Sequence, residues 1–208
     1  MADKRELKGS SLMLFADEYV SLDIETTGLS PETCEIIEIG AVRVSEGKVT
    51  EEFQKFIRPD KPVPDFITSL TGITNEMVAD ADGAEAVLAE FEEFLGDSLI
   101  VGQNVNFDIG FLYDNMLKYL GIPMTNDFAD CLRISRNLFP ELPNHKLATL
   151  VKHFGLSQSE AHRALSDSYD AFRCYEHMRC YAEKEMLLVP DKKGMRLKKR
   201  PKVTAQKK

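Results

Sequence analysis

Asp23 and Glu25 stand two residues apart near the end of the stretch Glu18 to Glu25, EYVSLDIE. Tyr19, Val20, Leu22 and Ile24 make that stretch a strand former, and successive strand side chains point to opposite faces. The two carboxylates therefore point the same way. Like charges so close repel unless something positive sits between them. Two more acids follow at the starts of predicted helices: Asp108, after Gly102-Gln103-Asn104-Val105-Asn106-Phe107, and Asp167, five residues after His162. Taken singly, each has an ordinary explanation: solvated acids on an edge strand, acids drawn to a helix dipole, a histidine at a helix cap. Together they have the order expected of one site shared by a sheet and two helices. All-oxygen ligands suit Mg²⁺ or Mn²⁺ rather than zinc. Four carboxylates can hold two such ions ~4 Å apart, one acidifying an attacking water and the other stabilising a departing oxygen. A histidine such as His162 is a side chain that can take the water's proton at physiological pH.

The elements that must place these groups are legible from periodicity. Ile36 to Val44 and Lys48 to Ile57 read as second and third strands, with Glu46-Gly47 as a hairpin turn between them. Thr26-Thr27-Gly28 and Ser30-Pro31 break the first strand. A short helix is expected over Asp65 to Leu70, and Gly83 to Leu95 has helical apolar spacing. Leu99 to Val101 is a short buried strand, followed by a helix that Gly121 ends. Phe128 to Cys131 leads into a helix stopped by Pro140, Lys146 to Phe154 forms another, and the last long helix runs from Ala164 towards Leu188. Strands first, then alternating strands and helices, predict an α/β fold: a mixed sheet with an antiparallel first hairpin, flanked by helices. Three regions are expected: a polar lead-in over residues 1–16, a folded domain over 17–188, and a basic, disordered tail over 189–208.

Charge is distributed unevenly. Residues 191–208 hold seven Lys, two Arg and one Asp, a net +8; since the chain totals −8, residues 1–190 carry −16. An acidic body is unusual for a phosphate binder unless divalent cations neutralise part of it. The basic tail then has three readings: a phosphate-binding arm, a dock for a partner protein, or a solubility tail. Cys34, Cys131, Cys174 and Cys180 are scattered in apolar or helical contexts, as for reduced thiols. Cys174, His177 and Cys180 lie on one helix without a fourth ligand, so they make a poor zinc site. No apolar run approaches the ~18 residues that span a bilayer, and no signal peptide is evident. The expectation is a cytoplasmic protein with no membrane partner.

Three segments carry a family resemblance. Leu22-Asp23-Ile24-Glu25-Thr26-Thr27-Gly28-Leu29, Asn104-Val105-Asn106-Phe107-Asp108 and His162-Arg163-Ala164-Leu165-Ser166-Asp167 resemble the three exonuclease motifs of the DEDD superfamily. His162, five residues before Asp167, matches the DEDDh branch; the DEDDy branch has Tyr four residues before, where this chain has Arg163. The chain is similar in particular to the proofreading epsilon subunits of bacterial DNA polymerase III and to the exonuclease domains of Gram-positive replicative polymerases, over roughly residues 17–182. The resemblance implies a ribonuclease H-like fold and a metal-dependent 3′–5′ exonuclease releasing nucleoside 5′-monophosphates from single-stranded or frayed DNA 3′ ends. Asp23, Glu25, Asp108 and Asp167 would bind the two Mg²⁺ or Mn²⁺ ions, with His162 as general base. Thr26 and Leu29 would contact the terminal nucleotide, and Asn104 with Leu70, Gly72 and Ile73 would shape its pocket. Pro143-Asn144-His145-Lys146-Leu147 also resembles a family segment, whereas Gln103 departs from the His common at its position. A DNA polymerase subunit is an implied partner. RNA 3′-end processing by the same five residues, or a non-catalytic polymerase- or nucleic-acid-binding module, are the alternatives.

Overall fold

The computed structural model describes residues 5–157 and 162–198. In chain order the elements are β1 (Ser11–Leu12), β2 (Leu14–Phe15), β3 (Glu18–Thr26), β4 (Ile36–Ser45), β5 (Lys48–Phe56), α1 (Asp65–Thr71), α2 (Asn75–Ala79), α3 (Ala84–Leu95), β6 (Ile100–Gly102), α4 (Asn106–Leu120), β7 (Phe128–Asp130), α5 (Cys131–Leu138), α6 (Leu147–His153), α7 (Ala164–Lys184), β8 (Leu188–Asp191) and β9 (Gly194–Leu197). The main sheet has the order β1-β7-β6-β3-β4-β5. The first four of these run parallel, while β4 and β5 are antiparallel additions. This is the expected mixed α/β sheet with its antiparallel hairpin. Glu46 and Gly47 have φ of 49° and 72°, the two positive values that a tight hairpin turn needs.

β3 divides the interior. Val20, Leu22 and Ile24 pack with Val87, Leu88 and Phe91 of α3 and Ile109 and Leu112 of α4. On the other face Tyr19 joins Val42, Val44, Tyr175 and Met178 under α7. Each such side chain, once buried, contributes about 1.5–3 kcal/mol relative to leaving it in water. Ser21 shares the α7 face and donates its hydroxyl to the carbonyl of Ser168 at 2.8 Å. By alternation Asp23 and Glu25 lie farther along that face, towards the start of α7.

Gly40 permits this arrangement. It sits opposite Asp23 in the β3–β4 ladder. A Cβ there would overlap the backbone of Ala164 and Leu165, so the first turn of α7 lies directly on the sheet. α7 ends earlier than the apolar pattern suggests, at Lys184. Met186 adopts φ 51°, and the Leu187 N–H turns back to the Ala182 carbonyl at 2.8 Å. That is a left-handed helix stop, which periodicity alone does not reveal.

Both ends of the chain depart from expectation. Residues 11–15 of the supposed lead-in form β1 and β2, and Arg5 makes a two-point ion pair with Asp114. Residues 188–197, largely assigned to a disordered tail, form the β8–β9 hairpin, which adds to β2 as a three-stranded antiparallel sheet. The run of lysines masked a turn: Gly194 has φ 140°, and Leu197 is buried against the α7-side core. Residues 199–208 of the tail lie outside the described residues.

The close approach at Gly40 yields a test. Gly40→Ala is expected to destabilise the protein by about 2 kcal/mol through overpacking. Urea unfolding followed by circular dichroism measures this, and an unchanged midpoint would contradict the contact.

Candidate active site

β3 and β6 run parallel with Val20 beside Ile100 and Ser21 beside Val101, so their C-terminal ends open on the same edge of the sheet. Asp23 and Glu25 lie at that end of β3. The turn after β6 is tight, because a Cβ on Gly102 would meet both Val105 and the Leu22 carbonyl oxygen. It delivers Asp108 into the first turn of α4, where the residue is buried. Asp108 Oδ1 accepts the Ile24 N–H at 3.1 Å, from the strand residue between the two sheet acids. Between Glu25 and Thr26 the pairing with β4 slips by one residue, a bulge at the edge of the site.

Asp167 comes from the first turn of α7 and accepts the backbone N–H of His162 at 3.2 Å on Oδ2. His162 is exposed and has φ 60°, uncommon for any residue with a Cβ. One ligand atom each from Glu25, His162 and Asp167 falls within 4.8 Å of the others. Among the described residues this is the only such group of His, Cys, Asp and Glu side chains. Cys174, His177 and Cys180 do not form one; Cys174 is buried with Leu150 and Val151, while Cys180 is exposed.

The acids resist ionisation together. Burial pushes Asp23 well above the usual carboxylate range, and the charges of Asp108, Asp167 and Glu25 add to it. Burial likewise raises Asp108, against the opposing pull of its backbone hydrogen bonds. Glu25 is pushed up to about 8, by burial first and then by Asp167 and Glu38. Asp167 rises to about 6, again chiefly through burial. Acids that keep protons near neutrality in one recess are a surface that a divalent cation would neutralise. The carboxylate oxygens of this donor set fit a hard divalent cation.

The remaining predicted residues fall into two groups. Thr26 is buried, its hydroxyl donating to the Gly28 carbonyl at 2.6 Å, and it shapes the loop that carries Leu29. Leu29 is 86% exposed, an apolar side chain with no packing partner to account for it. Leu70 is exposed at the end of α1, and Gly72 caps that helix in the left-handed conformation. Asn104 is exposed with φ 57°, its N–H held by Asp130 Oδ1 at 2.9 Å. Ile73, by contrast, is wholly buried with Ile37, Val63, Ile67 and Val78, so its side chain anchors the segment. Gln103 donates to the His145 carbonyl at 2.7 Å, joining the loop after β6 to the family-like segment before α6.

Three residues that sequence reasoning passed over also build the site: Gly40, Asp130 and Glu38. Asp130 caps α5 through the Leu132 N–H at 2.9 Å while holding Asn104. Glu38 is fully buried and faces Glu25 across the ladder. The available signal was a lone acid and a glycine, two residues apart, inside the apolar strand IIEIGAV.

Residues 20–175 match the family described as Exonuclease (RNase_T). The PolC-type DNA polymerase III of Caldanaerobacter subterraneus subsp. tengcongensis is 42% identical over 160 residues, which are 77% of this chain and 11% of that protein. The chain thus spans about a tenth of the length of the curated relatives it matches. Among solved structures, Exonuclease X in complex with 5′-overhanging duplex DNA superposes with a TM-score of 0.67 at 25% identity, covering 79% of this chain and 93% of that one. E. coli Exonuclease I in complex with a dT13 oligonucleotide gives a TM-score of 0.71 at 21% identity, covering 82% and 42%. Among the described residues no helix is long and apolar enough to cross a membrane.

The raised carboxylates predict a pH dependence. In the unfolded chain Glu25 would titrate at its ordinary value of 4.5, against about 8 when folded. Between those values the folded state binds more protons, so this group's contribution to stability is full below pH 4.5 and lost as pH rises through about 8. Melting temperatures in EDTA should therefore fall from pH 5.5 to pH 8.5, and Mg²⁺ should raise them more at the higher pH. A metal-free melting temperature that climbs over this range would contradict the assignment.

Proposed function

The chain belongs to the exonuclease (RNase_T) family, and on that premise we propose that it removes nucleoside 5′-monophosphates from DNA 3′ ends. In this reading Asp23, Glu25, Asp108 and Asp167 hold two Mg²⁺ or Mn²⁺ ions, and His162 is the general base of a DEDDh-type site. The observation that carries it is the convergence of Glu25, His162 and Asp167 within 4.8 Å beside the half-buried Asp23 and the buried Asp108.

The bound cations supply neutralisation of the acid cluster and of the charge that develops at phosphorus. The chain's own groups do the rest. The His162 imidazole, exposed at the mouth of the recess, takes the proton of the attacking water. Asp167 accepts the His162 backbone N–H, which fixes where that ring starts from. The bond from phosphorus to the 3′-oxygen of the next nucleotide breaks, and the released product keeps the phosphate on its 5′ carbon. Leu29 and Leu70, both exposed and apolar, offer a surface against which an unstacked terminal base can pack. The bulk of the chain is acidic, so affinity for the strand is expected to depend on the cations, on the basic C-terminal segment or on a polymerase partner. The likeness to one part of a PolC-type polymerase supports a proofreading role beside such a partner.

Three outcomes test this. With a 5′-labelled oligonucleotide, the full chain should release mononucleotides from the 3′ end in Mg²⁺ or Mn²⁺ and none in EDTA. His162→Ala should slow release by about 10²–10⁴-fold, and Asp23→Ala should abolish it. Binding without metal-dependent turnover would instead identify a non-catalytic module. Matched DNA and RNA strands in one assay decide the substrate: faster RNA hydrolysis overturns DNA as the preferred strand. Separately, Leu29→Ala should lower kcat/KM by about 5- to 30-fold, equivalent to about 1–2 kcal/mol of apolar contact. An unchanged value would remove Leu29 from the binding surface.

A further inference from the structure

Glu38 is a charged residue with no exposure at all, in the middle of an apolar strand. Burying a charge is costly unless it is paired and fully hydrogen-bonded, and this one is. Oε1 accepts from Arg163 Nη2 at 3.0 Å and from Gln54 Nε2 at 2.8 Å. Oε2 accepts from the Ala164 backbone N–H at 3.1 Å and from Arg163 Nε at 3.3 Å. The Arg163 guanidinium also lies over the Phe56 ring, 5.4 Å from its centroid. The side chain of Arg163, the N-cap residue, makes no capping hydrogen bond to α7; the Ala164 N–H is satisfied from the neighbouring strand, through Glu38.

This clamp grips the two residues that follow His162. His162 itself has φ 60°, and its own N–H is tied to Asp167. Three successive residues are therefore held: His162 by its N–H, Arg163 by its guanidinium and Ala164 by its N–H, the last two on one carboxylate. We propose that Glu38 is a positioning residue: it holds Arg163 and Ala164 so that the His162 ring stands beside Glu25 and Asp167. A residue kept only for stability need not be charged, since an apolar side chain of similar volume in place of a buried ion pair is often no less stable. Glu38 serves the placement of the helix start that carries both His162 and Asp167.

The inference rests on the reading of His162 as the base, and a double-mutant cycle separates the two. The rates of the full chain, Glu38→Gln, His162→Ala and the double variant are compared at saturating Mn²⁺ and oligonucleotide. Glu38→Gln should lower kcat by about tenfold or more with KM nearly unchanged, because a small misplacement of a reacting group costs rate rather than binding. The double variant should then be no slower than His162→Ala alone. Multiplying losses overturn the proposal, for they mean that Glu38 acts independently of His162. A full rate in His162→Ala removes the base reading itself, and a second measurement still decides the placement. The ring ¹H–¹³C resonance of His162, identified by its loss in His162→Ala, should be a single sharp signal in the unsubstituted protein and shifted or broadened in Glu38→Gln. An unchanged resonance overturns the proposal whatever the rates. If Glu38→Gln does not melt cooperatively, Glu38→Asp, which keeps the charge and loses reach, is read by the same two measurements.

Discussion

Mutual repulsion among acids in one recess is the constraint to which the rest of this structure answers. Burial raises the proton affinity of Asp23, Glu25, Asp108 and Asp167, and repulsion from neighbouring carboxylates adds to it. Left to itself such a cluster would push its elements apart. It is held by contacts that do not involve the acids' charges: the bare Gly40 under the first turn of α7, the tight turn at Gly102, and the apolar layers on either face of β3. The cost of the cluster is thus carried by packing far larger than the site, the usual arrangement for a functional region inside a marginally stable domain.

The topology gives each acid a different anchorage. β3 contributes two from one strand face, the turn after β6 brings the third round the parallel edge, and α7 lowers the fourth onto the sheet. Because β3 and β6 are parallel, their ends open together, which is where α/β sheets place their sites. The antiparallel strand β4 then does something β3 alone cannot: at successive same-face positions it offers Glu38 to the start of α7 and nothing but backbone at Gly40. One strand both makes room for the helix and holds it. One large cavity, about 810 Å³ and lined by residues such as Cys34, Arg58 and Lys118, shares none of these acids. The proposed chemistry belongs to the acid cluster, where charge converges, rather than to this hollow.

Much of this was legible in the chain. The alternation in EYVSLDIE places Asp23 and Glu25 on one face, and Glu46-Gly47 adopts the two positive φ values that its hairpin implies. Asp108 and Asp167 stand at helix starts, as their motifs suggest. What escaped depends on contacts distant in sequence. Glu38 looks like one more polar residue until Arg163, 125 positions away, is seen against it. Ile73 belongs to a contact motif, yet its side chain is core because α1 and α2 fold over it. The lysines of the C-terminal stretch concealed a hairpin whose partner, β2, lies at the opposite end of the chain. Local periodicity carries no information about pairing at that separation.

Proton release on cation binding bears most directly on the central claim, that these carboxylates form one divalent-cation site. Ions can be held only by the deprotonated acids. With Glu25 near 8 and Asp23 and Asp108 raised alongside it, Mn²⁺ binding at pH 7 should expel protons from the cluster. Calorimetric titration of the full chain in two buffers of different ionisation enthalpy counts them. The account predicts release of at least about one proton per chain at pH 7, shrinking by pH 9 and lost in Asp23→Asn. Mn²⁺ binding with no proton release, or binding untouched by Asp23→Asn, would contradict it.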